Sequence, residues 1–354
     1  MQSVQFFEVF LPGCSLSFLI LCRFLWYYKY DLSMTGGSLI NSLRVYPKVS
    51  LGVFPTPIQR LDNISRLLHT SVYVKRDDLT GLGLGGNKIR KLEYLLADAQ
   101  RQGAEIIFTT GGAQSNHAML TAAAAGKLGM KPILILKKRG VTDRVGNQLL
   151  EHLMGTEVIL MDTDDYADIY AEMDRVGQES GRPYYKIPCG GSNALGTLGY
   201  VDCAREISLQ GIRFDHLICA EGSGGTMAGL ALGAALYLPE TKVYGMMVDS
   251  DPFDEITPRL MREAAALLGA EIEIGPESFT LRNLCGPGYA IPSAEGNAAI
   301  ELMAREEGIF LDPVYTGKAF AGLLALAEEG AFCESDNVLF LHSGGAGGLF
   351  ALAR

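Results

Sequence analysis

The sequence predicts an α/β fold with a mainly parallel sheet, and three observations support this. From Ser71 onward, short apolar β-branched runs alternate with longer Ala- and Leu-rich stretches of helical period. This alternation is typical of repeated βα units. The 42 glycines suit many tight turns between strands and helices. The 354 residues exceed one average domain, so two domains are expected.

Each predicted strand is a short apolar run, and each predicted helix is a longer periodic stretch. The predicted strands are Val72–Lys75, Ile106–Thr110, Pro132–Lys137, Glu157–Met161, His216–Ala220, Lys242–Met247 and Asn337–His342. The predicted helices are Lys88–Gln102, Ser115–Leu128, Val145–Met154, Tyr166–Ser180, Gly225–Leu236, Thr257–Leu268, Ala294–Glu307 and Lys318–Glu328. The Gly- and Pro-containing segment Ile187–Asn193 separates two blocks of βα units, and we place a domain boundary near it.

Charge and cysteine content exclude several classes of protein. A formal net charge of −10 argues against a general binder of nucleic acid or anionic membranes, because these partners need a basic surface. An anionic ligand therefore needs a local site. The 7 cysteines form no CxxC motif and no Cys/His cluster, so neither a metal site nor a disulfide framework is predicted. We expect a protein of the reducing cytoplasm.

Residues 1–42 form an N-terminal extension of uncertain status. The stretch Phe6–Tyr28 is rich in apolar and aromatic residues but is interrupted by Glu8, Pro12 and Arg23. These interruptions argue against a membrane span, and the stretch lacks the pattern of a signal peptide. Two explanations remain open. Translation starts at Met34, or the extension packs on the protein surface or on a partner subunit.

The first glycine-rich turn, Gly81–Lys88, precedes a predicted helix. It satisfies GxGxxG, but Arg76–Thr80 separates it from the preceding strand, which weakens a nicotinamide-dinucleotide interpretation. Because Asn87 and Lys88 follow Gly86, the turn is not a Walker A loop. A flexible loop with a surface lysine is the simple alternative. A lysine at a helix start lies in a positive field that lowers its pKa, as a nucleophilic amine requires.

The second turn, Thr109–His117, again joins a strand to a helix. Ser115 is a candidate N-cap, which leaves the amides of Asn116 and His117 directed at any ligand in front of the helix. Such a helix start can bind a carboxylate. The alternative is an ordinary serine cap with solvated neighbours.

The third turn, Cys219–Thr226, follows a strand and precedes an apolar helix. Its small residues expose a row of amides at a helix N-terminus, which suits a phosphate group. A tight turn without a ligand is the alternative. Tyr289, Tyr315 and Ser343 also lie at loop or strand ends. Taken singly, they fit half-buried aromatics and a turn residue equally well.

Three motifs occur in one order in this chain: Gly85–Glu93 (GGNKIRKLE), Gly111–His117 (GGAQSNH) and Gly222–Thr226 (GSGGT). Together with Phe54–Pro57 and Lys75–Leu79, they make the chain from about Leu43 onward resemble the D-cysteine desulfhydrase and 1-aminocyclopropane-1-carboxylate (ACC) deaminase family. These are fold-type II pyridoxal-phosphate enzymes. The first 40 residues fall outside the resemblance.

The resemblance implies two open, mainly parallel, twisted sheets with flanking helices, and an active site between two domains. Residues 43–89 and 191–354 would form the large cofactor-binding domain, and residues 90–190 the small domain. It further implies a homodimer and a small amino-acid substrate. From the charge and the scattered cysteines, we expect no nucleic-acid or membrane partner and no metal.

The resemblance also assigns roles to individual residues. Lys88 would form the Schiff base with pyridoxal 5'-phosphate, and Tyr289 and Tyr315 would flank the reacting carbon. The amides of the third turn would hold the phosphate, Asn116 the phenolic oxygen, and Ser115 the substrate carboxylate. The cofactor contacts are Asn87, Lys88, Asn116, Gly222, Ser223, Gly224, Gly225, Thr226, Thr316 and Ser343, and the substrate contacts are Ser115, Asn116, His117 and Tyr289.

Two positions help to choose the reaction. ACC deaminases carry Glu after the second tyrosine and Leu after the histidine of the last strand, whereas this chain has Thr316 and Ser343. Hydroxyls near the pyridine nitrogen favour β-elimination from D-cysteine. ACC deamination, L-cysteate sulfo-lysis, and elimination from D-serine or chloroalanine remain alternatives within the family. A nicotinamide-dependent oxidoreductase and a non-catalytic amino-acid-binding protein are alternatives from other classes.

Overall fold

The computed structural model describes Leu43 and residues 46–352. The predictions for residues 1–42 and for Met34 lie outside these described residues. No helix within the described part is long and apolar enough to cross a membrane.

The described chain alternates strands and helices from residue 58 onward. Its strands are β1 Ile58–Arg60, β2 Ser71–Arg76, β3 Ile106–Thr109, β4 Lys131–Lys137, β5 Glu157–Met161, β6 Tyr184–Lys186, β7 His216–Glu221, β8 Lys242–Met247, β9 Thr280–Asn283 and β10 Asn337–His342. Its helices are α1 Asp62–Leu68, α2 Lys88–Arg101, α3 Asn116–Lys127, α4 Gly146–Leu153, α5 Tyr166–Ser180, α6 Ala194–Leu209, α7 Gly225–Tyr237, α8 Phe253–Leu268, α9 Ala294–Glu307, α10 Thr316–Glu328 and α11 Ala346–Leu352.

These strands form two sheets. The 6-stranded sheet has the order β1-β2-β10-β7-β8-β9, and the 4-stranded sheet has the order β5-β4-β3-β6. β1 pairs antiparallel with β2, and the other pairs are parallel. The predicted α/β class with two open, mainly parallel sheets is confirmed. The domain boundaries near residues 89 and 190 stay a prediction.

Both sheets have strands that are apolar on both faces, as expected of parallel strands covered by helices. In β10, Leu339 and Phe340 are each 0% exposed, and Leu134 and Ile135 in β4 are also 0% exposed. One face of the larger sheet packs under α10, where Phe320 lies 5.2 Å from the Phe340 ring in an edge contact. The rigid sheets therefore fix the positions of their strand ends.

Sequence periodicity missed α6, which contains two glycines among its residues. Gly196 and Gly199 weaken the helical pattern, but both lie where another backbone segment comes close: the Gly191 carbonyl at Gly196, and α2 at Gly199. A Cβ atom on Gly199 would come within 2.5 Å of the Arg90 carbonyl oxygen. Close packing between helices, which sequence periodicity does not reveal, explains the missed element.

Other differences are smaller. The structure adds the short strands β1, β6 and β9 and the short helices α1 and α11, which are too brief to give a clear periodic signal. It also starts α8 at Phe253 and not at Thr257, because Pro258 is accommodated inside the helix. The strand ends and the helix starts that follow them converge on one cavity.

Candidate active site

A cavity of about 320 Å³ contains most of the predicted site residues. This volume lies in the usual range of small-molecule sites. Its walls come from both sheets and from the starts of α2, α3 and α7. The predicted residues that line it are Asn87, Lys88, Ser115, Asn116, His117, Gly222, Ser223, Gly224, Thr226, Tyr289, Tyr315 and Ser343. Gly225 and Thr316 are not among its lining residues.

Lys88 is the first residue of α2 and lines this cavity. The loop before it is fixed at two points. The Gly86 amide donates to Thr80 Oγ1 at 2.8 Å, and the Asn87 amide donates to the Ser343 carbonyl oxygen at 2.9 Å. Burial lowers the pKa of Lys88, while Cys189 and Glu221 act in the opposite direction. An amine with a lowered pKa can act as a nucleophile or as a base.

Lys91 is a further buried lysine that the sequence analysis missed. It lies one helical turn after Lys88 on the same face of α2 and is 0% exposed. Its Nζ donates to the Gly190 carbonyl oxygen at 3.1 Å and to Ser192 Oγ at 3.2 Å. Burial and then the neighbouring Lys88 lower its pKa well below the usual value. Its spacing of three residues from Lys88, which places both side chains on one face of a helix, is the sequence feature that could have indicated it.

The third glycine-rich turn curves around the start of α7. Gly224 has φ of 86°, a left-handed conformation that favours glycine. The Gly225 amide donates to Ser192 Oγ at 3.2 Å, and Asn87 Nδ2 donates to Thr226 Oγ1 at 3.0 Å. Amides and hydroxyls therefore surround this helix start, which gives it the chemistry of a phosphate site.

The space at this helix start also fits an anionic group. A Cβ atom on Gly225 would lie 2.7 Å from Ser192 Oγ and 2.8 Å from Lys91 Nζ. Only glycine permits these donors to approach the backbone so closely. The Ser192 and Ser223 hydroxyls are themselves 2.9 Å apart. The residues present thus fit the phosphate of pyridoxal phosphate.

Glu221 is a buried acid at this same turn and was not predicted. It ends β7, is 1% exposed, and accepts a hydrogen bond from the Gly224 amide at 2.6 Å. Burial raises its pKa to about 7, although the Gly224 hydrogen bond and Lys91 act against this. One of the expected phosphate amides is therefore bound to Glu221 in this structure.

The start of α3 has the geometry expected of a serine cap. Ser115 Oγ accepts from the Ala118 amide at 3.2 Å, and Asn116 Oδ1 accepts from Asn147 Nδ2 at 2.7 Å. His117 Nε2 lies 2.8 Å from Thr109 Oγ1. Burial, followed by Lys88, lowers the pKa of His117 well below its usual value, so the ring is neutral. The first amides of a helix lack intrahelical acceptors and can bind a carboxylate.

Tyr289 and Tyr315 meet in the cavity wall. Their hydroxyl oxygens are 2.6 Å apart. Burial raises the pKa of both phenols, so both stay protonated at neutral pH. Asp312 positions Tyr315, because its Oδ2 accepts from the Tyr315 amide at 2.9 Å. The pair can hold and donate a proton inside the cavity.

Thr316 differs from the expectation that its hydroxyl faces the cofactor ring. It is 0% exposed, and its Oγ1 donates to Asp312 Oδ1 at 2.7 Å. The same oxygen accepts from the Asp312 amide, also at 2.7 Å. The buried carboxyl of Asp312 binds the free amides at the start of α10, and the adjacent hydroxyl is drawn to the same group. Ser343 alone of this pair lines the cavity.

Charged residues that end or follow strands of both sheets also line the cavity. Lys137, at the end of β4, places its Nζ 3.5 Å from the Tyr166 ring centroid, and Arg139 pairs with Asp164 at 2.6 Å. Asp249 and Asp251, which follow β8, line the same cavity. Their distance from the glycine-rich motifs in the sequence explains why sequence reasoning missed them.

A cavity between two mainly parallel sheets, with a lysine at one helix start and an amide cradle at another, is the arrangement expected of a fold-type II pyridoxal-phosphate enzyme. Comparison with protein families agrees. Residues 49–344 match the model of the family described as pyridoxal-phosphate dependent enzyme, and the chain belongs to this family. Its cofactor is pyridoxal 5'-phosphate.

Relatives from two functional groups are similarly close. The chain is 44% identical over 316 residues to a putative 1-aminocyclopropane-1-carboxylate deaminase of Pyrococcus horikoshii, with 87% of this chain and 94% of the relative covered. It is 44% identical over 328 residues to a D-cysteine desulfhydrase of Yersinia enterocolitica, with 89% and 98% covered. The family resemblance predicted from the motifs is confirmed.

Solved structures agree on the fold. A crystal structure of an ACC deaminase homologue has a TM-score of 0.83 and 43% identity, covering 88% of this chain and 96% of that one. A pyridoxal-phosphate-dependent aspartate racemase has a TM-score of 0.65 at 14% identity, covering 88% and 96%. The second likeness shows the fold alone.

Proposed function

We propose that this protein is a D-cysteine desulfhydrase, which converts D-cysteine and water to pyruvate, hydrogen sulfide and ammonia by α,β-elimination. The observation that carries this choice is Ser343, a hydroxyl-bearing residue of the cavity wall whose carbonyl accepts from the amide of Asn87, the residue before Lys88. In the resemblance, ACC deaminases carry Leu at this position. The similarity to D-cysteine desulfhydrases supports the same choice.

Different residues of the chain hold different parts of the cofactor. Lys88 would bind it covalently, and Ser223, Thr226 and the start of α7 would hold its phosphate. Lys91 adds a donor beside Ser192, within 3.2 Å of that hydroxyl. Asn116, at the start of α3, would bond the phenolic oxygen, and Ser343 would lie beside the ring.

The bound cofactor withdraws electrons from the α-carbon of the substrate and so makes its proton acidic. Once the amino group of the substrate has displaced it, Lys88 would accept this proton, because burial lowers the pKa of its amine and so favours the unprotonated form. The electron pair of the broken C–H bond forms the Cα=Cβ bond, and the C–S pair leaves with the sulfur. The released enamine then reacts with water to give pyruvate and ammonia.

The tyrosine pair serves the leaving group. Because Tyr289 and Tyr315 share a hydrogen bond of 2.6 Å and stay protonated, one phenol can donate a proton to the departing sulfur. Ser115 and the free amides at the start of α3 bind the substrate carboxylate, and His117 completes this wall as a neutral donor or acceptor.

A turnover panel tests the assignment. The purified enzyme is incubated with D-cysteine, L-cysteine, L-cysteate, β-chloroalanine, D-serine and ACC, and sulfide, pyruvate and ammonia are measured. We expect sulfide and pyruvate in equal amounts from D-cysteine, and little reaction with ACC. Ammonia from ACC without sulfide from D-cysteine would establish the deaminase instead.

We also propose that the enzyme acts as a cytoplasmic homodimer, with residues 43–89 and 191–354 holding the cofactor and residues 90–190 forming the small domain. The resemblance supports the dimer, and the absence of a CxxC or Cys/His cluster in the sequence supports a reducing compartment. Light scattering after size exclusion tests the dimer. A mass equal to one chain contradicts it.

A further inference from the structure

We propose that Glu221 makes cofactor binding proton-coupled: its carboxyl group occupies an amide of the phosphate cradle and takes up a proton when the phosphate arrives. Glu221 is thus a positioning residue of the cradle and not a catalytic one. The inference rests on the proposed position of the phosphate at the start of α7.

The position of the carboxyl group carries the inference. Glu221 ends β7, and its side chain turns under the loop that follows, where Oε1 accepts from the Gly224 amide at 2.6 Å. The other oxygen has a long contact of 3.5 Å from Thr257 Oγ1, and the Ser223 amide also stabilises the carboxylate. With 1% exposure, the group has little access to water. An incoming phosphate therefore finds the Gly224 amide already bound to a buried carboxyl group.

The groups facing Glu221 explain why an acid is tolerated without the phosphate. From α2, Lys88 and Lys91 present amines that stabilise the carboxylate. From β7 itself, Cys219 faces it, and burial raises the pKa of this thiol well above its usual value, so it carries no charge. From α8, Thr257 faces it and is uncharged. The two lysine amines are therefore its basic neighbours within the described chain.

The phosphate changes this balance. A phosphate monoester carries about −1.5 to −2 charges at neutral pH, and it competes with Glu221 for the same amines and amides. Burial already raises the pKa of Glu221 to about 7, and a nearby anion raises it further. The occupied site thus holds more protons than the empty one. Binding must weaken as the pH rises above the pKa of the empty site.

The test measures the affinity of the cofactor-free enzyme for pyridoxal 5'-phosphate across the pH range, in the native protein and in Glu221→Gln. Equilibrium dialysis gives the two apparent dissociation constants, and their ratio removes effects common to both proteins. We expect the ratio of native to Glu221→Gln to stay near one at low pH. It should reach about tenfold by ~1 pH unit above the pKa, since one proton is coupled.

Two controls match this design. Glu151→Gln alters another buried acid, 0% exposed with a pKa raised to about 8, that does not line the cavity. It should leave the pH dependence of binding native. Pyridoxal, which lacks the phosphate, should bind with the same pH dependence in the native protein and in Glu221→Gln.

A measurement on the native protein covers the case in which Glu221→Gln does not fold. Calorimetric titration in buffers of different ionisation enthalpy counts the protons taken up on binding. We expect greater uptake with pyridoxal phosphate than with pyridoxal at slightly alkaline pH, and equal uptake would overturn the inference.

The outcomes also separate this inference from the site on which it rests. If Thr226→Ala weakens cofactor binding while Glu221→Gln leaves the pH dependence native, the coupling is wrong and the cradle stands. If neither change affects binding, both the coupling and the proposed phosphate position are wrong.

Discussion

At the scale of single residues, the hydroxyl-bearing residues Thr316 and Ser343 lie in different environments: Ser343 lines the cavity, and Thr316 is buried against Asp312. Lys88 and Ser343 line the cavity as expected, because glycine-rich turns at strand ends constrain where such residues lie. Thr316 carries the expected hydroxyl but directs it to Asp312. Sequence did not indicate this, since the partner is a buried acid whose importance depends on the tertiary fold. Glu221 and Lys91 were missed for the same reason, because their burial also depends on the tertiary fold.

The contrast between Thr316 and Ser343 gives a testable pair. Thr316→Val removes a buried hydroxyl and its bonds to Asp312, so we expect the free energy of unfolding to fall by about 1–3 kcal/mol. Cofactor affinity should stay native. Ser343→Ala should instead lower D-cysteine turnover with little loss of stability. Denaturant unfolding and cofactor titration measure these effects, and lost cofactor affinity with native stability in Thr316→Val would contradict the structure.

Glu151 predicts a pH dependence of stability. Burial raises its pKa from 4.5 to about 8, and Oε1 has no hydrogen-bond partner. Between these two values the native state holds a proton that the unfolded chain has lost, so stability falls as pH rises through this window. Glu151→Gln should unfold at a higher temperature than the native protein at about pH 8.5 and at a similar one at about pH 5. Equal melting temperatures at both pH values would refute the buried-acid account.

At the scale of elements, strands and helices with strong periodicity were predicted to within a few residues. Elements whose residues are set by packing against other parts of the fold were not predicted. β5, α5 and α9 have the predicted bounds because pattern and caps agree. α6 was missed because its glycines serve close packing against α2, which carries Lys88. A glycine in a helix therefore weakens the helix where it has no close neighbour, but it allows tight packing where another backbone segment lies close.

Two glycine-to-alanine changes test this difference. Gly199→Ala places a methyl group within 2.5 Å of the Arg90 carbonyl oxygen, so we expect a loss of several kcal/mol of stability, above the ~1–3 typical of overpacking. Gly126→Ala, in α3, meets nothing within 4 Å and should stabilise the protein by about 0.5–1 kcal/mol. Chemical denaturation compares the two variants. Equal effects would contradict the packing described for α6.

At the scale of the whole molecule, alternating βα units predicted the class of fold but not the division into two sheets. Strand order is a tertiary property, and the two-sheet expectation came from the family resemblance. The cavity draws its walls from both sheets, as seen with Lys137 after β4 and Asp249 after β8. A ligand held there contacts both sheets at once and should stabilise the folded state as a whole.

Removing the cofactor and adding it back tests whether a bound ligand stabilises the whole folded state. Pyridoxal phosphate at about one hundred times its dissociation constant should stabilise the folded protein by ~2.7 kcal/mol, because it binds the native state selectively. Pyridoxal should stabilise less, since it cannot use the phosphate cradle. Differential scanning calorimetry measures both effects. An unchanged melting temperature on addition of pyridoxal phosphate contradicts a site that joins the two sheets.

The central claim is that Lys88 binds the cofactor, and chemical trapping tests it most directly. Borohydride reduction of the holoenzyme fixes pyridoxal phosphate on the lysine that holds it, and peptide mass spectrometry then identifies that residue. Lys91 and Lys137 are internal controls, because both are lysines of the same region. We predict the adduct on Lys88, with none in Lys88→Ala. An adduct on Lys91 or Lys137 in the native protein, or one that persists in Lys88→Ala, would contradict the account.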